Sequence, residues 1–147
     1  MDVLVNNAGI SGDLAAQAPG AVDLAVIRSV FETNVFGVVM VTEALLPLLR
    51  RSAAGRIVNV SSGVGSLGNM TDPGHYMSKL PAAAAYPTTK TALNSLTVQY
   101  AKALAADGIL VNAVAPGACA TDFTRRLSLP ATRTAAQGAE IAVRLAR

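Results

Sequence analysis

Three short, β-branched apolar runs, each followed by turn residues and then by a helical repeat, constrain this chain more than any other feature. Val3-Leu4-Val5 ends in Asn6-Asn7-Ala8-Gly9, Arg56-Ile57-Val58-Asn59-Val60-Ser61 follows Gly55, and Ile109-Leu110-Val111-Asn112-Ala113-Val114 is closed by Pro116-Gly117. Continuous apolar runs of this length read as strands buried on both faces. Between them apolar residues return at helical spacing. From about Asp23 to Arg50 they are Ile27, Val30, Phe31, Val38, Val41, Leu45 and Leu49, with Asp23 as a candidate cap and a cationic end at Arg50 and Arg51. Pro47 predicts a kink or an early break near the end of that helix. From about Tyr86 to Ala106, Leu93, Leu96, Tyr100 and Leu104 share a face, and Gly108 lies just past the end. The stretch from Ser62 to Ala82 reads as a long irregular loop, and an amphipathic helix over about Ala135 to Ala146 completes the chain. Strands alternating with helices imply right-handed crossovers and a parallel α/β sheet with helices on its faces.

With 147 residues, 52% of them hydrophobic and 14% charged, the chain can bury one core, so a single domain over 1–147 is expected. The formal charge of +3 comes without a basic run interleaved with aromatic residues, which argues against nucleic acid and is compatible with a small anionic cofactor. Cys119 is the only cysteine, which excludes an intramolecular disulfide, and His75 has no partner at ligand spacing, so no metal site is expected. The first residues do not resemble a signal peptide, and no apolar run reads as long enough to span a bilayer. A cytoplasmic location and no membrane partner are the expectations.

Gly63-Val64-Gly65-Ser66-Leu67-Gly68 matches the Gly-x-Gly-x-x-Gly spacing of dinucleotide-binding turns. That motif works by opening a helix whose N-terminus receives the pyrophosphate, with an acidic residue about 20 positions on for the ribose. Asn69, Thr71, Asp72, Pro73 and Gly74 follow instead, and no Asp or Glu lies between Asp72 and Asp107. The glycines are therefore expected to form a loop beside a site.

Tyr86 and Lys90 are four apart, so on a helix they share one face. A neighbouring ammonium favours a phenolate and so would lower the tyrosine pKa, allowing proton exchange with an alcohol or a carbonyl. Ser61 and Ser62 lie at the end of the second strand, the sheet edge where ligands collect in such folds, and a hydroxyl there can donate to a carbonyl oxygen. Asn34 sits within the first long apolar helix, where its amide must find partners. Tyr76 and Lys79 imitate the tyrosine–lysine pair with a spacing one residue too short, in a loop flanked by Pro73 and Pro81.

Taken together, Asn6-Asn7-Ala8-Gly9, Asn34 with Gly37, Ile57-Val58-Asn59-Val60-Ser61-Ser62, Tyr86-Pro87-Thr88-Thr89-Lys90 and Pro116-Gly117-Ala118-Cys119-Ala120-Thr121-Asp122 resemble the short-chain dehydrogenases/reductases, in the family's order along the chain. The carbonyl-reductase-like members, with a longer loop before the tyrosine, are the most similar. The resemblance implies a cytoplasmic NAD(P)-dependent oxidoreductase interconverting a carbonyl compound and an alcohol. Tyr86 would exchange the proton, and Lys90 would lower its pKa and hold the nicotinamide ribose. Ser62, with Ser61 as the alternative, would orient the substrate carbonyl. Asn34 would anchor a water that connects Lys90 to solvent. Asn6, Ala8 and Gly9 would shape the cofactor groove, and Pro116, Gly117 and Thr121 would contact the nicotinamide end. NADP is placed ahead of NAD, and a homo-oligomer is expected. The family's opening strand and its Thr-Gly-x-x-x-Gly-x-Gly turn are not found in this sequence, nor is its last strand, so the resemblance implies the fourth to sixth strands of a partial doubly wound (Rossmann-like) parallel α/β sheet in three layers, α/β/α, lacking the first strands. A catalytically incompetent fragment serving as a binding or dimerisation module is the alternative.

Overall fold

The structure, a computed structural model, describes residues 1–147. Strands β1 (Val3–Asn6), β2 (Arg56–Val60) and β3 (Leu110–Val114) form a parallel sheet in that order. Their register aligns Leu4, Ile57 and Val111, and likewise Asn6, Asn59 and Ala113. Aligned residues on neighbouring strands face the same side, so sequence alternation fixes which residues meet each helix layer.

On one face lie the two long helices, α1 (Leu24–Leu49) and α3 (Tyr86–Leu104). Leu46 and Leu49 of α1 and Leu104 of α3 join Leu4, Ile57, Ile109 and Val111 in the buried core. The same face carries a polar seam: Asn6 Nδ2 donates to Thr42 Oγ1 at 3.2 Å and to Asn59 Oδ1 at 2.9 Å, and Asn59 Nδ2 donates to Thr97 Oγ1 at 2.9 Å. Each helix is thereby pinned to a strand, and the buried amides find the partners that burial demands. Helix α5 (Ala135–Leu145) packs against β2 and β3, completing a third layer. Its approach is close, because Gly138 faces the Cys119 sulfur so tightly that a Cβ would fall 2.1 Å from it. Val58 and Val114, which point to the opposite face from Ile57 and Ala113, are buried, whereas Val5 on that face is 43% exposed.

Asp23 caps α1 through its side chain, which accepts from Ala25 N at 2.8 Å. Two expectations for this helix are corrected. It runs through Pro47 to Leu49 without the early break, and its irregularity lies instead at Glu32–Phe36, a π-type turn that contains Asn34. By length and composition it is also apolar enough to cross a membrane, contrary to the sequence expectation. Charged Arg28, Glu32 and Glu43 interrupt it along the sequence, but the apolar average over the folded helix remains high. The stretch after Ser62 is more ordered than a plain loop. It contains a 3₁₀ turn at Gly63–Gly65, a one-turn helix α2 (Leu67–Thr71) capped by Ser66, and a 3₁₀ turn at Tyr76–Lys79. Asn69 and Thr71 are accommodated in α2, and the helix ends at Asp72, ahead of Pro73.

Candidate active site

The site forms where β2 ends against the start of α3. Ser61 N donates to Val114 O at 2.7 Å, and its hydroxyl donates to Asn94 Oδ1 at 2.6 Å. Ser61 is buried and committed to holding the strand end on α3. Ser62 is extended, half-buried and beside the Tyr86 phenol, so of the two serines it is the one that faces Tyr86. The Gly63–Gly65 turn then lies flat on α3. A Cβ on Gly65 would meet the Lys90 backbone at 2.8 Å, and its carbonyl accepts from Thr91 Oγ1 and Asn94 Nδ2, both at 3.1 Å. Gly63 and Gly65 of the dinucleotide-like spacing thus serve close packing, against Met77 and the Lys90 backbone, and Gly68 lies within the one-turn helix that follows.

Tyr86 opens α3, and Lys90 follows one turn later with its Nζ 5.7 Å from the Tyr86 ring centroid. Lys90 is buried, donates to Val60 O at 2.8 Å, and is held by burial at a pKa of about 8. Phe123, on the short helix α4 (Asp122–Arg126), tilts onto the Tyr86 ring at 5.6 Å between centroids. The Tyr86 pKa is raised above its ordinary value, chiefly by burial, with Ser62 acting in the opposite direction. This reverses the expectation that Lys90 lowers it. The physical reason is that one apolar enclosure desolvates both groups, favouring neutral phenol and neutral amine, while the ammonium is turned to a backbone carbonyl.

Asn34 is buried in the π-type turn and makes three hydrogen bonds. Its Oδ1 accepts from Ile10 N at 2.9 Å, and its Nδ2 donates to Ile10 O at 2.8 Å and to Thr89 Oγ1 at 3.1 Å. Gly9 separates Asn34 from Lys90: a Cβ there would lie 3.3 Å from Asn34 Oδ1 and 3.5 Å from Lys90 Nζ. The missing side chain leaves the amide oxygen and the ammonium facing one small space.

The remaining residues expected at a cofactor divide into two groups. Asn6 is turned into the seam between sheet and helices, so its side chain faces Thr42 and Asn59 and not a groove. With both donors of its amide engaged below the sheet edge, the backbone of Asn6 is what remains to shape the turn. Ala8 is exposed and Gly9 half-exposed beside Lys90. Gly117 has φ +81°, and the Pro116 carbonyl accepts from Arg133 Nη1 at 3.1 Å. Thr121 caps α4, two residues before Phe123. The chain therefore holds a set suited to the nicotinamide end of a dinucleotide: a lysine with two free donor positions, a glycine-lined gap beside it, and a turn at 116–121. It holds no glycine turn opening a helix for the pyrophosphate.

Tyr76 is 66% exposed and stacks on His75. Sequence reasoning missed Thr89, Asn94, Phe123 and above all Gln17, whose fully buried amide reaches the start of α3. Its one signal was indirect. Ala85-Tyr86-Pro87 offers no Ser, Thr, Asp or Asn to cap a helix, so the cap had to come from elsewhere.

Comparison with known proteins agrees with this geometry. A family model described as short chain dehydrogenase matches residues 1–132. A short-chain dehydrogenase of Penicillium roqueforti is 42% identical over 126 residues, covering 84% of this chain and 49% of that protein. A 3-oxoacyl-[acyl-carrier-protein] reductase of Synechocystis sp. is 38% identical over 128 residues, covering 87% and 46%. Among solved structures, NADPH-bound carbonyl reductase from chicken fatty liver superposes with a TM-score of 0.73 at 29% identity, covering 84% of this chain and 48% of that one. The chain thus spans about half the length of the relatives it matches, and it belongs to the short-chain dehydrogenase family.

Proposed function

We propose that this chain carries the catalytic part of an NAD(P)-dependent oxidoreductase that interconverts a carbonyl compound and an alcohol, with Tyr86 as the acid and base. The observation that supports it is the convergence of Ser62, Tyr86 and Lys90 at one strand end, with Asn34 behind them. The nicotinamide cofactor, when bound, supplies or accepts the hydride. Ser62 donates to the substrate oxygen and orients it, and Tyr86 delivers the proton to that oxygen. With its pKa above the ordinary value, Tyr86 keeps its proton at neutral pH, the state a general acid needs for reduction. Oxidation requires the phenolate, so it is favoured as pH rises. Lys90, near pKa 8, has donors left for the ribose hydroxyls, and Asn34 anchors a water linking Lys90 to solvent. The turn of Asn6, Ala8 and Gly9 shapes the cofactor groove, and Pro116, Gly117 and Thr121 contact the nicotinamide end. NADP is favoured over NAD by the likeness to the NADPH-bound carbonyl reductase. The substrate is a small carbonyl compound bound against the apolar loop after Ser62.

The chain alone is expected to bind NADPH and NADH weakly, because backbone donors for the pyrophosphate are lacking. Joined behind the N-terminal half of a relative that has the phosphate turn, it is expected to bind NADPH and to reduce aldehydes or ketones. Nucleotide fluorescence and absorbance assays read both. A chimera that binds NADPH yet reduces no carbonyl compound would count against the proposal.

A self-association role is favoured by a separate observation. Phe36, Met40 and Val41 of α1 and Val98 of α3 are 45–70% exposed on the two long helices. Such an outward apolar face is expected to pair two copies, and sedimentation at rising concentration should show a dimer; a monomer throughout would remove this reading.

A further inference from the structure

Helix α3 begins without a cap of its own. Ala85 offers no side-chain acceptor, and Pro87 has no N–H, which leaves the amides of Ala85 and Tyr86 among the first to need partners. Those partners come from a residue 69 positions earlier. Gln17 Oε1 accepts from Tyr86 N at 2.9 Å and from Ala85 N at 3.3 Å, while its backbone carbonyl accepts from Ala84 N at 2.9 Å. The other end of the same amide is equally engaged, with Nε2 donating to Ser11 O at 2.7 Å and to Asp13 O at 3.0 Å. Gln17 is fully buried with two acceptor and two donor positions filled, the whole capacity of a primary amide.

The loop that carries Gln17 is anchored at its other end to Asn34, through both hydrogen bonds to Ile10. Asn34 in turn donates to Thr89 Oγ1, and Thr89 donates to the Tyr86 carbonyl at 2.8 Å. A ring of hydrogen bonds closes on one residue: the Tyr86 N–H is held by Gln17 and its C=O by Thr89. Gly12 permits the loop to take this path, since its φ is +67° and a Cβ would fall 2.7 Å from Val30 and 3.1 Å from the Gln17 amide nitrogen.

We infer that Gln17 is a positioning residue for Tyr86, and that the strap from Ile10 to Gln17 sets the placement of the phenol against Ser62 and Lys90. The inference rests on the reading of Tyr86 as the acid and base. Gln17 touches neither substrate nor reacting atoms; it fixes the backbone from which the phenol projects. Because Tyr86 opens its helix, it lacks the preceding turn that holds a mid-helix residue in place, and a fraying first turn would let the hydroxyl drift from the substrate oxygen.

The test reads placement and not turnover, so it stands apart from the question of whether Tyr86 is catalytic. In the unmodified chain the Ala85 and Tyr86 amides, at a position that ordinarily exchanges freely, are expected to exchange with deuterium as slowly as the mid-helix Leu93 amide. Free exchange at both would overturn the inference. In protein labelled at the tyrosine ζ carbon, NMR titration follows each phenol separately. Lys90 is the charged group facing the Tyr86 ring, and Glu43 faces Tyr100 through a 2.6 Å hydrogen bond. Gln17→Met removes all the side-chain bonds at similar volume. It is expected to drop the Tyr86 midpoint toward the ordinary 10.0 and to speed Tyr86 amide exchange by about two- to tenfold, the worth of one net hydrogen bond. Tyr100 should stay near about 12 as the mark of an intact fold. An unchanged Tyr86 midpoint and exchange rate in folded Gln17→Met would overturn the inference. Should that variant lose its fold, amide exchange in the unmodified chain decides alone, and free exchange at Ala85 and Tyr86 overturns the inference.

Discussion

Tyr86→Phe, in the chimera that restores the phosphate turn, is expected to cut carbonyl reduction by about 10²–10⁴-fold, the usual contribution of a positioned acid or base. The substitution keeps the ring and therefore the contact with Phe123, so the fold and the binding of NADPH should survive. Because burial holds the Tyr86 proton, the parent is expected to reduce carbonyls evenly across neutral pH and to oxidise alcohols faster as pH rises. Tyr76→Phe is the control; on an exposed turn it should leave the rate nearly unchanged. A pH profile of the forward and reverse reactions, with the two variants beside the parent, checks all of this.

Lys90→Met should affect function and stability in opposite directions. Losing the ammonium that would hold the ribose and neighbour the phenol is expected to lower turnover by at least about 10²-fold and to weaken NADPH binding as well. Stability follows from the lysine pKa, which falls from 10.5 to about 8 on folding. The unfolded chain then binds more protons than the folded one between those values, so stability rises with pH across that window and is lower below it. At neutral pH the buried charge therefore costs the fold up to about 3 kcal/mol. Met removes that cost while leaving the Val60 carbonyl without its donor, a loss of about 1–3 kcal/mol. The variant should be at least as stable as the parent at pH 7, and the rise in stability above pH 8 should disappear. Urea denaturation at several pH values measures this. A variant destabilised at pH 7 that still gains stability above pH 8 would show that another group titrates there.

The alternation of strand-like and helix-like segments was legible because each run carries its own period. Val3-Leu4-Val5, Ile57-Val58 and Val111 fall in strands, and Asp23 caps α1 as its position suggests. The Tyr86 and Lys90 pair was legible because a helical spacing of four needs no tertiary information. What could not be read depends on which distant groups meet. Ser61 and Ser62 are adjacent and chemically identical, and only the arrival of Asn94 separates the one that braces the strand from the one facing Tyr86. Asn6 ends a strand and opens the turn, and only strand register shows that its side chain meets Asn59 and Thr42. The direction of the Tyr86 shift was misread for a similar reason: the helix supplies the ammonium locally, but the enclosure by β2 and by Phe123 of α4 is non-local. Gln17 lies in an Ala-rich stretch with no pattern of its own, and it shows its role only once Tyr86 N is seen to need it.

The central claim is that Ser62, Tyr86 and Lys90 of this chain direct hydride and proton onto a carbonyl group. Tracing deuterium tests it most directly. The chimera is incubated with a ketone and NADPH carrying deuterium at the reactive nicotinamide carbon, and the alcohol is analysed by mass spectrometry. One deuterium on the carbinol carbon is expected with the parent chain, and its rate of appearance should fall by about 10²–10⁴-fold in Tyr86→Phe while NADPH remains bound. Labelled alcohol formed at the parental rate by Tyr86→Phe, or lost with Tyr76→Phe instead, would contradict the account.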